Sequence, residues 1–408
     1  MRHRAVLLSA LLVVSLVGAA AAPAATQQTD ADGEAYAGSH VQFETTGSAV
    51  SNYAVNDAVI VENVSVQSSE EARSQAGIGL DVGLSAATSI AGAAVESRTE
   101  ADASVRLGFE SGAAMQAHDN SRGIFQVRAN DSAQMVHANL SSDSEAESEG
   151  EERVVVTKGD GSQGTFIVVG DGEVVVNEGG NVTAEIEEGS QLVYRQYDDS
   201  ERSDDDKQKE QMIQNGTATA EVYVESAAES GQDSADDGEE AAASVVEYGQ
   251  DTSVEVTSQA ENELNMTVER SQSQGKVVLT SVSESAFDSA EDIEVSVDGE
   301  AAAQADSYSA VEQSAMAGDE PRYYVSQSSS AEATTNVAIG IDHFSERAVS
   351  MQSAQEDTST ATATETDAAT EESDGDTATD ESSGDGAGFG ALAAVAALGA
   401  ALLAARRR

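Results

Sequence analysis

The chain has 408 residues, of which 74 are acidic and 20 basic, giving a formal net charge of -54, and it contains no cysteine. A surface this acidic is repelled by phosphate backbones and carries no basic stripe, which argues against nucleic-acid binding. The lack of cysteine excludes disulfides, thiolate metal sites, cysteine nucleophiles and lipidation on an N-terminal cysteine. Lysine occurs only at Lys158, Lys207, Lys209 and Lys276. The self-repulsion of such a surface is screened at molar salt, where the Debye length is roughly 3 Å. The composition therefore suits a folded protein in concentrated salt. High charge with 4% aromatic residues also fits an unfolded chain; the strand patterning along the sequence separates the two.

Residues 1–24 read as a secretory signal. Arg2, His3 and Arg4 precede an apolar run over residues 5–20, and Ala22-Pro23-Ala24 supplies small residues for cleavage after about Ala24. Arg2 and Arg4 are not adjacent, so general secretion of an unfolded chain fits better than a twin-arginine route. Residues 25–203 form a predicted N-terminal β-rich domain. Strands are expected around residues 59–66 and 124–127. Ile78, Leu80, Val82 and Leu84 alternate as a strand inside an Ala/Gly-rich run, where Asp81 argues against a membrane span. Residues 153–197 hold five short apolar strands. They are separated by Gly159-Asp160-Gly161, Gly170-Asp171-Gly172-Glu173, Glu178-Gly179-Gly180-Asn181 and Glu187-Glu188-Gly189-Ser190. This spacing fits a hairpin meander, and stacked solenoid coils would give a similar pattern.

Residues 204–216 are predicted to be a helical connector capped by Gly216. Residues 217–351 then alternate with period two at 221–225, 253–257, 264–268, 293–297 and 337–341, which predicts an antiparallel β-sandwich domain. One helix is inserted over residues 306–318, with Asp306 or Ser307 as its N-cap. The expected fold class is mainly β: two β-rich extracellular domains, an acidic stalk without structure and a C-terminal hydrophobic helix.

The stalk is residues 352–387, which contain no Val, Ile, Leu, Phe or Tyr and no basic residue. As a random coil its ends lie roughly 30–35 Å apart. Gly388-Phe389-Gly390 follow, then an Ala/Leu-rich apolar run to Ala405 and the terminal Arg406, Arg407 and Arg408. As a helix, residues 389–405 reach roughly 26 Å, and the arginines stay on the inner side of a membrane. This order of acidic stalk, Gly-Phe-Gly, apolar helix and arginine cluster resembles the PGF-CTERM sorting signal of haloarchaeal surface proteins. The resemblance covers the last 21 residues, and Ala387 stands where the family usually has proline. It implies that an archaeosortase-type enzyme removes the tail of residues 388–408 and attaches a lipid. An uncut membrane helix would anchor the chain on the same outer face. Loss of both ends removes five arginines and no acid, taking the net charge from -54 to -59.

Six N-glycosylation sequons occur, at Asn63, Asn130, Asn139, Asn181, Asn215 and Asn265. The mature region has four histidines, His40, His118, His137 and His343, in no metal-ligand spacing, and they read as isolated surface residues. No Gly-x-Ser-x-Gly elbow or phosphate loop occurs. Asp160 and Asp171 in Gly-Asp-Gly turns could hold calcium weakly, but aspartate and glycine make such turns without a cation; Asp374, Asp376 and Asp380 loosely resemble a calcium loop but lie in the stalk without a terminal glutamate at the right spacing. The expectation is a non-enzymatic glycoprotein without cofactor, on the outer face of the cell membrane, contributing to the cell envelope by surface-layer association or adhesion. Its expected partners are the membrane, the processing enzyme and surface-layer proteins. The alternatives are a receptor module for a sugar or divalent cation, and a hydrolase with an unrecognised site.

Overall fold

The computed structural model describes residues 28–29, 35–76, 83–101, 103–197, 202–225, 242–260, 262–283, 286–287, 293–327 and 334–353. The signal segment, the stalk and the sorting signal lie outside the described residues, as do Ile78, Leu80 and Val82. The chain is mainly β, as its alternation predicts. Among the described residues the strands form four sheets.

The first sheet has nine strands, in the spatial order Gln28–Thr29, Val95–Ala101, Ser104–Phe109, Ala113–His118, Phe125–Ala129, Gln191–Gln196, Gln163–Val169, Arg153–Lys158 and Ser144–Ser148. The second has seven: Gly172–Val176, Val182–Ile186, Gln134–Leu140, Ala58–Ser68, Ala49–Val55, Val41–Thr46 and Ala35–Ala37. Alternate side chains of both sheets meet in one apolar core that includes Val64, Val66, Val136, Leu107 and Val127. Rings run through it: Tyr53 and Phe125 centroids lie 4.9 Å apart, Phe125 and Tyr194 5.3 Å, and Phe166 and Tyr194 4.9 Å. Each fully buried side chain of this size contributes about 1.5–3 kcal/mol.

All five apolar strands expected between residues 153 and 197 are present. They form neither a single meander nor a solenoid. Three join the first sheet, while Gly172–Val176 and Val182–Ile186 cross to the second. The crossing turns at Gly170, whose φ is +96° and where a Cβ would lie 2.6 Å from Ser190 Oγ, so only glycine fits there. Leu84 does not close a strand but opens a short 3₁₀ turn, Leu84–Ala86. Its buried side chain packs with Ala72, Ala87 and Met135, because the following segment is laid across the outer face of the second sheet and not paired within it. A helix absent from the sequence reading, Ser69–Ala76, follows directly from the strand Ala58–Ser68.

The second half is a sandwich of a six-stranded and a five-stranded sheet. The six strands are Ala242–Glu247, Ala218–Glu225, Gln274–Ser283, Thr334–His343, Arg322–Gln327 and Ala303–Gln304. The five are Thr252–Ala260, Glu263–Arg270, Glu346–Ser353, Ile293–Val297 and Glu300–Ala301. The pairing is not antiparallel throughout: Ala218–Glu225 runs parallel to Gln274–Ser283, and Ala303–Gln304 runs parallel to Arg322–Gln327. Parallel neighbours need a long return. The first pair obtains it from the hairpin of Thr252–Ala260 and Glu263–Arg270 in the other sheet.

Two further helices match their sequence signals. Asp204–Gln214 begins at a capping box between Ser203 and Asp206 and ends before Gly216, whose φ is +65°. Tyr308–Ala317 starts at Ser307, which accepts from the Ala310 amide, and stops at left-handed Gly318. All described residues fall within the unit Met1–Gln355.

Candidate functional site

The two sandwiches meet along a seam made by the outer faces of the nine- and six-stranded sheets. Period two builds it. In Gln191–Gln196, Leu192 and Tyr194 enter the first core, so Val193 and Arg195 point to the seam. In Ala218–Glu225, Ala220, Val222 and Val224 enter the second core, so Glu221 and Tyr223 point back at it. Ile124, Met212, Ile213, Val246 and Tyr248 fill the space between.

The charged groups here are paired. Arg195 donates to both Glu221 oxygens, at 3.0 and 3.1 Å, and the Tyr248 hydroxyl donates to the same carboxylate at 2.7 Å. Burial alone would raise the Glu221 pKa, but Arg195 and Lys209 outweigh it and hold the carboxyl below its ordinary range. Lys209 is 3% exposed, and its ammonium lies 3.0 Å from Asp206 and 3.3 Å from Asn336 Oδ1. Burial pulls the Lys209 pKa below its usual value despite Asp206. Asp206 in turn is held low: Lys209, Arg122 and Ser203 overcome the opposing effect of burial. Glu210 is fully buried and accepts from Arg153 at 2.7 Å, from Thr165 at 3.1 Å and from the Tyr197 hydroxyl, with Arg202 Nε at 2.8 Å.

Neutral contacts extend the seam. Gln126 Nε2 donates to the Glu247 carbonyl at 3.0 Å, and Gln191 Nε2 to the Tyr248 carbonyl at 2.9 Å. Gln250 reaches back to the Gly189 carbonyl at 2.7 Å. At the far side His40 pairs with Glu225 at 2.8 Å. Burial acts to lower the His40 pKa, yet the Glu225 hydrogen bond and charge, with Asn56, raise it to about 9.

The seam opens into a groove of about 510 Å³. It is lined by the turn at 169–171, by Gly189 and Gln191, by the helix end at 214–216, and by Tyr248, Gln250, Asp251 and Gln272 of the second half. The structure thus brings one Gly-Asp-Gly turn and the Asn215 sequon together. Neither the seam nor the groove was found from sequence. A usable signal was present in the charges Arg195 and Glu221, set within strands apolar on both faces.

The histidines are not all on the surface. His118 is 1% and His137 2% exposed, because the strands that carry them are covered on both faces. They lie in different sheets. His137 Nε2 sits 2.8 Å from Asn139 Oδ1 and Nδ1 sits 3.1 Å from Thr183 Oγ1; burial lowers its pKa, with Asn139 opposing. Burial and Arg128 bring His118 down to about 3, with Gln126 opposing. Both rings are neutral parts of the scaffold. His343 is exposed beside Asp342.

Strand register also gathers sequons. Asn139 stands directly opposite Asn63, and Asn181 Oδ1 accepts from the Leu140 amide at 3.0 Å, so three sequons separated in sequence form a row across neighbouring strands. Asn130 Nδ2 donates to the Gly112 carbonyl at 3.0 Å, and Asn265 Nδ2 to Ser258 and Glu263. Asn215 is the exposed C-cap of the connector helix. Asp160 accepts from the Ser162 amide and hydroxyl, closing its own turn. Among the described residues no group of three or more His, Asp and Glu is placed to hold a metal ion. Among them, too, no helix is long and apolar enough to cross a membrane; Gly388, Phe389, Gly390 and Arg406–Arg408 lie outside.

No protein-family model and no curated protein sequence matches the chain. Among solved structures it is similar to a glycoside hydrolase family 81 protein from Clostridium thermocellum, with 9% identity and a TM-score of 0.34, over 76% of this chain and 34% of that one. The chain thus spans about a third of that structure's length. A likeness of this size assigns neither a fold family nor an activity.

Proposed function

We propose that the chain is a non-enzymatic, glycosylated cell-surface protein. It is exported by residues 1–24, held at the outer face of the membrane through residues 388–408, and raised from it by the acidic stalk. It contributes to the cell envelope by association with a surface layer or by adhesion. The observation that carries this reading is the seam. Arg195 with Glu221, and Lys209 of the connector helix with Asn336, tie the two sandwiches into one body, an arrangement suited to display. The buried, neutral His118 and His137 support the same reading.

The test is intact mass of the protein extracted from its native membranes, before and after deglycosylation. Loss of the peptide ending in Arg408, a lipid mass and released sugar are the expected results. Arg408 retained on an unmodified chain would remove both the sorting and the glycoprotein parts, leaving a tail-anchored ectodomain. Hydrolysis of envelope glycans or peptides by the purified protein would overturn the non-enzymatic part.

A further inference from the structure

We propose that the side chains of Lys209 and Asn336 join covalently, forming an intramolecular isopeptide bond with loss of ammonia. The bond ties the connector helix to the strand Thr334–His343 of the second sandwich.

Four buried side chains converge where the helix meets the six-stranded sheet: Lys209, Asp206, Asn336 and Ser281. Lys209 Nζ donates to Asn336 Oδ1 at 3.3 Å. With a carbonyl bond of about 1.2 Å, Nζ lies no more than about 4.5 Å from Cγ. Ser281 stands opposite Asn336 on the neighbouring strand, and its hydroxyl donates to the same oxygen at 3.1 Å. Asp206, one turn back along the helix, holds Nζ at 3.0 Å. Both donors fall on Oδ1, which fixes the amide and leaves Nδ2 as the group free to depart. The surroundings are apolar: Met212 and Ile213 of the same helix and Ala338 of the same strand belong to the seam's buried cluster.

A lysine buried only to balance charge needs a carboxylate, and Asp206 supplies one. What charge balance does not require is a carboxamide carbon within reach of the same amine, its oxygen already receiving two hydrogen bonds. Burial pulls the Lys209 pKa down despite Asp206, which favours the neutral, nucleophilic amine. The product amide carries no charge, so its formation relieves the cost of keeping an ammonium out of water. Asp206 is not orphaned by it, because Arg122 and the amide and hydroxyl of Ser203 remain.

The step balances without any co-reactant. Asp206 takes one proton from the Lys209 ammonium. The lone pair of the neutral amine then forms a bond to Asn336 Cγ, while the carbonyl π pair moves onto Oδ1 under the Ser281 hydroxyl. As that pair returns, the Cγ–Nδ2 bond breaks and its electrons go to Nδ2. Nδ2 collects one proton from Nζ and the one held by Asp206, and leaves as ammonium; Asp206 is again ionised. The reaction happens once per chain and turns over no substrate. It joins residues 127 apart in sequence, so it restricts the unfolded chain as a disulfide would, in a protein that has no cysteine.

The experiment is chemical cleavage at methionine of the denatured full-length protein from its native membranes, after removal of any sugar, with fragment masses as the readout. Cuts at Met135, Met212, Met316 and Met351 separate residues 136–212 from residues 317–351 when no bond joins them. The expected result is that these two fragments stay together, one ammonia lighter than their sum, with fragmentation placing the link at Lys209 and Asn336. Lys209→Arg should release them apart, and Asp206→Asn should leave at least about tenfold less of the joined form. Separate, unmodified fragments from wild-type protein that melts cooperatively in concentrated salt would overturn the proposal. So would a link from Lys209 to any residue other than Asn336. The wild-type fragments decide the matter even where a variant fails to fold.

Discussion

The core of the first sandwich and the seam between the sandwiches are built from opposite faces of the same strand. Along Gln191–Gln196 the inward residues Leu192 and Tyr194 pack into the apolar core. The outward Arg195 meets Glu221, and one turn of helix away Lys209 meets Asp206. The chain has four lysines, and one of them is buried in this seam. Surface acids repel each other unless salt screens them, whereas buried pairs are little affected by salt. The two regions therefore divide the work. The cores give nondirectional burial, and the seam gives a partner-specific joint that fixes which face of one half meets the other.

The largest loss from a single substitution is expected at the seam. Arg195→Met leaves Glu221 buried without its cation and should lower unfolding free energy by about 3–5 kcal/mol in denaturant titration. Replacing both residues, Arg195→Met with Glu221→Leu, should restore most of that loss, because an apolar pair of similar volume often substitutes for a buried ion pair.

The His40–Glu225 pair gives a pH signature. Its folded pKa of about 9 lies above the ordinary 6.5. The folded protein therefore holds the proton more tightly, and the pair's contribution is complete below pH 6.5. It is lost as pH rises through about 9. Thermal melts from pH 6 to 10 should show this decline, and His40→Gln should flatten it.

In the core, Val64→Ala should cost about 2 kcal/mol through lost burial and a residual cavity, by an amount that salt leaves unchanged. The smallest effect belongs to the exposed pair of Lys207 and Asp204. Lys207→Ala should change stability by no more than about 0.5 kcal/mol.

Local signals were legible in the sequence. The strand Ile293–Val297 has the bounds its alternation gives, and the helix Tyr308–Ala317 lies between the Ser307 cap and Gly318. Asp204–Gln214 is equally plain, because its caps are encoded within a few residues. Sheet membership was not legible. The hydrophobic pattern of Gly172–Val176 is the same whichever sheet receives it, and the crossing depends on contact with strands far away in sequence. The burial of His137 is not legible in the sequence for a similar reason. Its side chain is capped by Thr183 and Asn177, about 40 residues downstream. The groove was the least legible feature, since its lining spans residues 169–272 and exists only once both halves have packed.

The connector helix has a consequence for the order in which the chain takes shape. By sequence it marks a boundary, a polar helix between two β-rich stretches. In the structure Glu210 is locked to Arg153 and Arg202 behind it, while Lys209 reaches forward to Asn336. A polypeptide emerging from its N-terminus presents Val193 and Arg195 to water until residues 218–225 arrive to cover them. The first half is thus a provisional surface, finished by a strand not yet delivered. Cutting at Gly216 would not yield two independent modules but one half with an apolar face and an orphaned guanidinium, and another without the platform it closes upon.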